Sequence, residues 1–179
     1  MGISVSARAV DFIPMAGLRF GGVSSNYDDS AASFGGIIDF PLPQYGSRAI
    51  ELYFSRQQLA PRSAPSAPLP DMSVSILHLG LADTRSGDDP RLSWLLIGSA
   101  GATRFATGAS SDTRPSIGLG GAVRWMVSEH FGVRGDLRAL INFTGTNGTV
   151  IACNGGCSLF YAGTIVVQGE ATVGVVVRF

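Results

Sequence analysis

The last fifteen residues alternate between two kinds of side chain, and this alternation constrains the fold more than any other feature. From Ile165 to Phe179 every second residue is apolar or glycine, whereas the intervening register carries Gln168, Glu170 and Arg178. A period of two places successive side chains on opposite faces of a β-strand. Fifteen residues is long for a strand, since about 5–6 is typical. The pattern therefore predicts a long strand whose two faces meet different surroundings.

The same alternation recurs along the chain and predicts eight antiparallel strands. It is clearest at 115–143, where a tight turn at Ser128-Glu129-His130 joins two alternating stretches. The predicted strands span 12–23, 33–41, 48–57, 72–82, 92–105, 115–128, 131–143 and 162–179. The connections 42–47, 83–91 and 128–130 are mostly short, and the connections 24–32, 58–71, 106–114 and 144–161 are mostly longer. An even strand number with this asymmetry is typical of bacterial outer-membrane β-barrels.

Composition narrows the class of protein further. Charged residues are 15% of the chain against about 25% in average proteins, and 45% is hydrophobic, which excludes intrinsic disorder. All thirteen basic residues are arginines and thirteen acidic residues balance them, so we expect no nucleic-acid partner. No stretch approaches the ~18 uninterrupted apolar residues that a membrane-spanning helix needs.

Alternation alone does not say whether the apolar face of the barrel points inward, around a ligand, or outward, toward lipid. The polar face carries few charges, of both signs, and many glycines, which suit the crowded interior of a narrow barrel. The chain also ends on Phe179 within a strand. These features predict an all-β fold: an eight-stranded antiparallel up-and-down transmembrane β-barrel, with residues 1–179 as a single domain.

One segment, GLGGAVRWMVSEHFGVRGDLR from Gly118 to Arg138, resembles the sixth and seventh strands of OmpA-like outer-membrane β-barrel domains. The terminal VVVRF is similar to the C-terminal signature of that class, in which the final aromatic residue is part of an assembly signal. The resemblance implies that role for Phe179, with the barrel-assembly machinery, membrane lipid and lipopolysaccharide as partners. It also implies localisation in the outer membrane of a Gram-negative bacterium. It implies no particular activity, because such barrels include anchors, adhesins, lipid-modifying enzymes and narrow pores.

The N-terminal residues 1–8 lack the basic start and the apolar stretch of an export signal. We therefore expect either a protein that stays inside the cell or a mature form from which the signal has been removed. The membrane prediction favours the mature form.

Charged residues on the polar faces form the strongest candidate site. Arg134, Asp136 and Arg138 are two residues apart on one strand and so point the same way. An eight-stranded barrel is just wide enough for side chains, so charges inside it must be paired, and arginine suits carboxylates. We expect a lumen salt-bridge network that plugs the barrel, with a gated ion path as the alternative. Its predicted members are Arg19, Asp39, Glu51, Arg124, Arg134, Asp136, Arg138, Glu170 and Arg178.

Few other residues suggest chemistry. Cys153 and Cys157 flank Asn-Gly-Gly, and we expect them to form a disulfide, because the pair has no further ligands for a metal. Lipid A deacylases on this scaffold carry a His-x-Ser pair, whereas His78 and His130 are each followed two residues later by glycine. We therefore expect no catalytic residue, cofactor or metal.

The expected function is non-enzymatic, a structural or surface-interaction role through the extracellular loops. A surface ligand or protein would bind at 58–71, which contains a Pro-rich extended stretch, and at 144–161. The alternative is a narrow pore or transporter for small solutes or hydrophobic molecules. A lipid-modifying enzyme is the third hypothesis.

Overall fold

Eight long strands form one closed barrel. The structure is a computed structural model that describes residues 9–21, 27–61, 70–108, 110–143 and 165–179, and the backbone of 152–153 and 157–158. The barrel strands are β1 (Asp11–Phe20), β2 (Ser30–Pro41), β3 (Arg48–Leu59), β4 (Met72–Ser86), β5 (Leu92–Thr107), β6 (Ser110–Met126), β7 (Phe131–Phe143) and β10 (Ile165–Arg178). Strands β8 (Ala152–Cys153) and β9 (Cys157–Ser158) form a separate two-stranded sheet, and a short 3-10 helix, Pro43–Tyr45, joins β2 to β3.

Every barrel strand pairs antiparallel with its neighbours in the order β1-β10-β7-β6-β5-β4-β3-β2. The barrel closes where β1 pairs with β10, from Asp11 opposite Arg178 to Phe20 opposite Gly169. Closure leaves no free sheet edge among these strands. The predicted fold class, an eight-stranded antiparallel up-and-down barrel, is confirmed. Within the described ranges, no helix has the length and apolar character to cross a membrane.

The two faces of the barrel wall are chemically opposite. Outward positions carry large apolar side chains that are well exposed, such as Leu96 at 67% and Leu119 at 61%. Inward positions carry buried polar and charged side chains, among them Arg19 and Arg134, both at 0% exposure. The apolar face therefore points outward, and the period of two along each strand separates it from a polar interior.

Aromatic side chains ring the outer face at both ends of the barrel. At the end with short turns they are Phe12, Phe40, Trp94, Trp125 and Phe131. At the end with long connections they are Phe20, Phe34, Phe54 and Phe143. Membrane β-barrels carry aromatic girdles of this kind at both lipid–water interfaces.

The prediction of a long loop at 106–114 is wrong. Strand β5 continues to Thr107 and β6 begins at Ser110, and these two residues pair with each other. The outward residues that β6 adds here, Ser111 and Thr113, are polar, and β5 adds only the small Ala106, so the apolar alternation that marked other strands fades. Strand β4 likewise continues to Ser86, which shortens the connection predicted at 83–91. The remaining connections keep the expected asymmetry between the two ends: 42–47 and 127–130 at one, 21–29 and 60–71 at the other.

Two adjacent glycines on β2 test this geometry. A Cβ at the inward-facing Gly35 would collide with the backbone carbonyl oxygen of Phe54 on β3, whereas one at Gly36 would lie 3.5 Å from the nearest heavy atom, the Ile13 carbonyl oxygen. We expect Gly35→Ala to lower the free energy of unfolding by about 1–3 kcal/mol through overpacking. Gly36→Ala should have little effect. Urea titration in detergent, followed by the gel shift between unboiled and boiled protein, measures both, and equal losses would contradict the strand pairing.

Candidate functional site

The interior of the barrel contains a charge-balanced set of side chains. The structure places all nine residues of the predicted network on inward positions, and it adds Asp11 from the start of β1. Five arginines thus face five carboxylates. These ten residues are Arg19, Arg124, Arg134, Arg138, Arg178, Asp11, Asp39, Glu51, Asp136 and Glu170.

The ten residues form two groups. Arg134 is at the centre of the larger group, because its guanidinium contacts three carboxylates. Its Nη1 lies 2.8 Å from Asp39 Oδ2, and its Nη2 lies 2.6 Å from Glu51 Oε2. Its Nε and Nη2 also donate to the two oxygens of Asp136, at 3.0 and 2.8 Å. Arg134 is fully buried, so these charge-assisted hydrogen bonds replace the water that the guanidinium loses.

From Arg134, ion pairs continue to the end of the barrel with short turns. Arg124 bridges Asp39 and Asp11 at 2.7 and 2.8 Å, and Arg178 Nε lies 2.7 Å from Asp11 Oδ1. Sequence reasoning missed Asp11 because the first predicted strand began one residue after it. The excess of predicted inward arginines over inward acids was the signal that could have revealed it.

In the other direction the network reaches an aromatic ring. Arg138 pairs with Glu51 at 2.6 Å and Asp136 at 2.8 Å. Its guanidinium carbon lies 4.3 Å from the centre of the Tyr53 ring, an arrangement that permits a cation–π interaction. Tyr53 thus adjoins the last arginine of the larger group.

Tyr53 also belongs to a second, smaller group around Glu170. The Tyr53 hydroxyl and the Ser55 hydroxyl both donate to the Glu170 carboxylate, the latter at 2.6 Å. Arg19 Nη2 lies 3.3 Å from Glu170 Oε1. Tyr53 therefore joins the two groups of charges across the middle of the lumen.

The lumen also holds a histidine between hydroxyl groups, which the sequence did not single out as a cluster. His78 Nδ1 lies 3.0 Å from Ser99 Oγ, and His78 Nε2 lies 2.7 Å from Ser116 Oγ. Thr103 donates to Ser116 Oγ at 2.9 Å. Among the described residues, no carboxylate hydrogen-bonds to His78, so this geometry is that of a buried hydrogen-bonded histidine rather than a charge-relay triad. His130 lies in the tight turn before β7.

Apolar side chains close the lumen at the end with long connections. They come from the ends of β3, β4, β5 and β10 and from one residue between β1 and β2: Leu59, Met72, Val74, Phe105, Val166 and Tyr27. We refer to these six residues as the apolar plug. The Tyr27 hydroxyl donates to the Pro70 carbonyl oxygen at 3.0 Å. Burial and the nearby Asp71 raise the pKa of Tyr27.

The opposite end of the lumen opens into a cavity of about 490 Å³. Asp11, Asp39, Arg124 and Arg178 from the network line it, together with Arg48 at the start of β3. This mouth is polar, and it ends at the ion pairs that cross the barrel. Within the described ranges, no group of three histidine, cysteine or acidic side chains is arranged to hold a metal ion.

Two predicted features lie largely or wholly outside the described residues. The backbone of Cys153 pairs with that of Cys157 across β8 and β9. No described contact supports the disulfide, because these side chains are not described, and it stays a prediction. Of the predicted interaction loops, the structure describes 58–61 and 70–71, and only short backbone segments of 144–161. Phe179 is described, and it is 77% exposed beside the barrel end with short turns.

Comparisons with known proteins identify the fold. No family model and no curated protein matches the chain. Among solved structures it is similar to Neisserial surface protein A, with 16% identity, a TM-score of 0.62 and coverage of 97% of this chain and 98% of that one. It is also similar to the N-terminal β-barrel domain of Pseudomonas aeruginosa OprF, with 11% identity, a TM-score of 0.56 and coverage of 96% and 98%.

A third similar structure is Ail, the attachment invasion locus protein of Yersinia pestis, in complex with the heparin analogue sucrose octasulfate. It shows 13% identity, a TM-score of 0.55 and coverage of 96% of this chain and 98% of that one. The fold is therefore that of small eight-stranded outer-membrane barrels, and the resemblance drawn from the sequence is confirmed at the level of the fold.

Two arginine substitutions compare the contributions of a buried and an exposed ion pair to stability. We expect Arg134→Gln to lower the free energy of unfolding by about 3–5 kcal/mol, because it leaves buried carboxylates without their counter-charge. Arg85→Gln removes the same charge from an exposed pair with Asp83 and should change stability little. Adding Asp136→Asn to Arg134→Gln should recover part of the loss. Urea unfolding in detergent measures all three, and equal effects at the two sites would contradict the burial of Arg134.

Proposed function

We propose that this protein is a non-enzymatic outer-membrane β-barrel that contacts lipid with its outer face and interacts with surface partners through its long loops. The observation that carries the proposal is the inverted barrel wall, apolar outside and charged inside. In water, an exposed apolar surface that surrounds the whole barrel would drive aggregation. In a bilayer the same apolar surface contacts the lipid chains, as the outer face of a membrane barrel must.

The height of the apolar band supports the membrane assignment. On β3 the outward residues between Arg48 and Arg56 are Ile50, Leu52 and Phe54. The eight steps from one arginine to the other span roughly 27 Å along a strand. At a tilt of about 40° this corresponds to about 20 Å of height, close to the ~25 Å band of outer-membrane barrels.

The contents of the lumen support a closed barrel rather than a channel. The ion pairs cross the lumen from wall to wall, and the apolar plug lies above them at the end with long connections. Because short turns face the periplasm in this class, the plugged end would face the outside. A closed lumen leaves the loops at 58–71 and 144–161 as the places where partners would bind. The similarity to an attachment invasion protein that was solved with a heparin analogue is compatible with a role in surface interaction.

A narrow pore is the second candidate, and the polar mouth of about 490 Å³ is the observation that favours it. Its walls carry Asp11, Asp39, Arg124 and Arg178, which would suit a hydrated entrance. Conduction would require the ion pairs behind this mouth to separate and the apolar plug to move.

Substitution on the outer face tests the membrane assignment. Leu79 is 60% exposed at the centre of the apolar band, and we expect Leu79→Arg to lower the stability of the barrel in lipid vesicles by about 2–4 kcal/mol. Gln58→Arg introduces the same side chain above the band and should cost little. The heat-dependent gel shift after urea titration measures both. If Leu79→Arg is as stable as Gln58→Arg in vesicles, the face does not contact lipid.

Conductance measurements distinguish the closed barrel from the pore. We expect purified, folded protein to give no current steps in planar bilayers, because paired charges and the apolar plug block the path. The faster migration of unboiled protein on the same gel verifies that folded barrels were added. Reproducible current steps from such a preparation would favour the pore.

A further inference from the structure

Charged side chains on the outward face of the described strands occur only at the two ends of the apolar band. At the end with short turns they are Arg48, Asp83 and Arg85, and both arginines approach Asp83, with Nε–O distances of 3.9 and 3.8 Å. At the end with long connections they are Arg56 and Arg104. No acidic residue occupies an outward position on the described strands at that end, so the excess positive charge there has no counterpart in the wall.

Arg56 and Arg104 lie in one row across neighbouring strands. Arg56 on β3 pairs with Ser75, Ser75 pairs with Arg104 on β5, and Arg104 pairs with Thr113. Because neighbouring strands are about 4.8 Å apart, the backbones of the two arginines are roughly 10 Å apart. Their long side chains can therefore reach one ligand, or two groups of one ligand, and the row adds two hydroxyls between and beside them.

The next outward row is apolar. It consists of Phe54, Leu77, Ala102 and Pro115, in the same register across β3 to β6. The arginines thus stand at the upper boundary of the apolar band, and they point sideways from the wall. In a membrane this is the depth of the lipid headgroups.

Neither arginine has a carboxylate partner among the described residues. Arg56 is exposed and makes no described hydrogen bond or ion pair through its side chain. Arg104 donates one hydrogen bond to a described residue, from Nη2 to Ser111 Oγ at 3.2 Å, and its other N–H groups have no partner among the described residues. By contrast, each of the five lumen arginines contacts at least one carboxylate.

A groove of about 480 Å³ adjoins Arg56 on the outer face between β2 and β3. The residues that line it are apolar on β2, Ala32 and Phe34, and polar or charged on β3, Arg56, Gln57 and Gln58. An apolar wall beside a guanidinium fits a ligand that is itself apolar at one end and anionic at the other.

We propose that Arg56 and Arg104 bind the phosphate groups of a phosphorylated lipid in the leaflet that surrounds the plugged end of the barrel. Guanidinium groups match phosphate oxygens in geometry and charge, and the adjacent Phe34 and Phe54 contact the acyl region. The proposal rests on the proposed membrane location, since the site faces lipid only in that setting. It makes this row of the barrel wall a specific lipid contact in addition to the general apolar surface.

Two matched double variants test the site. Full-length folded protein in a zwitterionic detergent is titrated with diphosphorylated lipid A, and the bound lipid is counted by native mass spectrometry. We expect Arg56→Gln with Arg104→Gln to weaken binding by about tenfold for each arginine removed, because a charge-assisted hydrogen bond contributes about one order of magnitude. Arg48→Gln with Arg85→Gln removes the same two charges from the other end and should bind like the unmodified protein.

Two further probes identify the ligand chemistry. Dephosphorylated lipid A should bind the unmodified protein as weakly as lipid A binds the Arg56/Arg104 double variant. Inorganic phosphate at the concentration of lipid A should not displace it. Equal lipid A binding by both double variants, undiminished binding of the dephosphorylated lipid, or displacement by inorganic phosphate would overturn the assignment. Loss of the heat-dependent gel shift in the unmodified protein would instead count against the membrane barrel itself, so the two failures are distinguishable.

Discussion

A charged side chain inside an eight-stranded barrel has almost no water around it, and the rest of the structure depends on how this constraint is met. An unpaired buried charge costs several kcal/mol, so each inward arginine needs a carboxylate within reach. The lumen meets this need through a neutral set in which Arg134 contacts three acids from β2, β3 and β7. Strands that are distant in sequence are thereby tied together across the interior. Since the ionic contacts stabilise the inside, the outside of the wall is free to be apolar.

The ionic interior and the apolar outer face are arranged differently at the two ends of the barrel. At the end with short turns, the ion pairs reach a polar mouth, and the outward arginines share Asp83. At the other end the interior changes from ionic to apolar, with Phe105 and Val166 in the plug, while no acidic residue occupies an outward position on the described strands beside the outer arginines. At one end each outward arginine thus approaches an acidic side chain of the wall, and at the other end the described strands offer none. The two ends of the barrel therefore differ in their side chains as well as in their loop lengths.

Periodicity predicted the parts of the molecule that depend on local geometry. Because inward and outward positions alternate, the side of each charged residue followed from its place in a strand, and Arg134, Asp136 and Arg138 lie on the predicted face. Contacts that depend on the stagger between distant strands could not be predicted in this way. The His78 cluster joins β4, β5 and β6, and the apolar plug joins residues that are up to 139 positions apart, from Tyr27 to Val166. The polar ladder between Thr107 and Ser110 was missed because it carries no apolar alternation.

The pairing of charges within the fold indicates where specificity for a partner can arise. A side chain whose charge is already neutralised by buried neighbours can bind a ligand only by breaking those contacts, and losing one partner of such a pair costs about 3–5 kcal/mol. Arg134 and Arg138 are in this position, so their charges contribute to stability rather than to recognition. An exposed arginine such as Arg56, which has no carboxylate partner among the described residues, gives up its hydrating water when it binds an anion. Recognition is therefore expected on the outer rim and the loops beyond it, where the wall offers charge that the fold itself does not use.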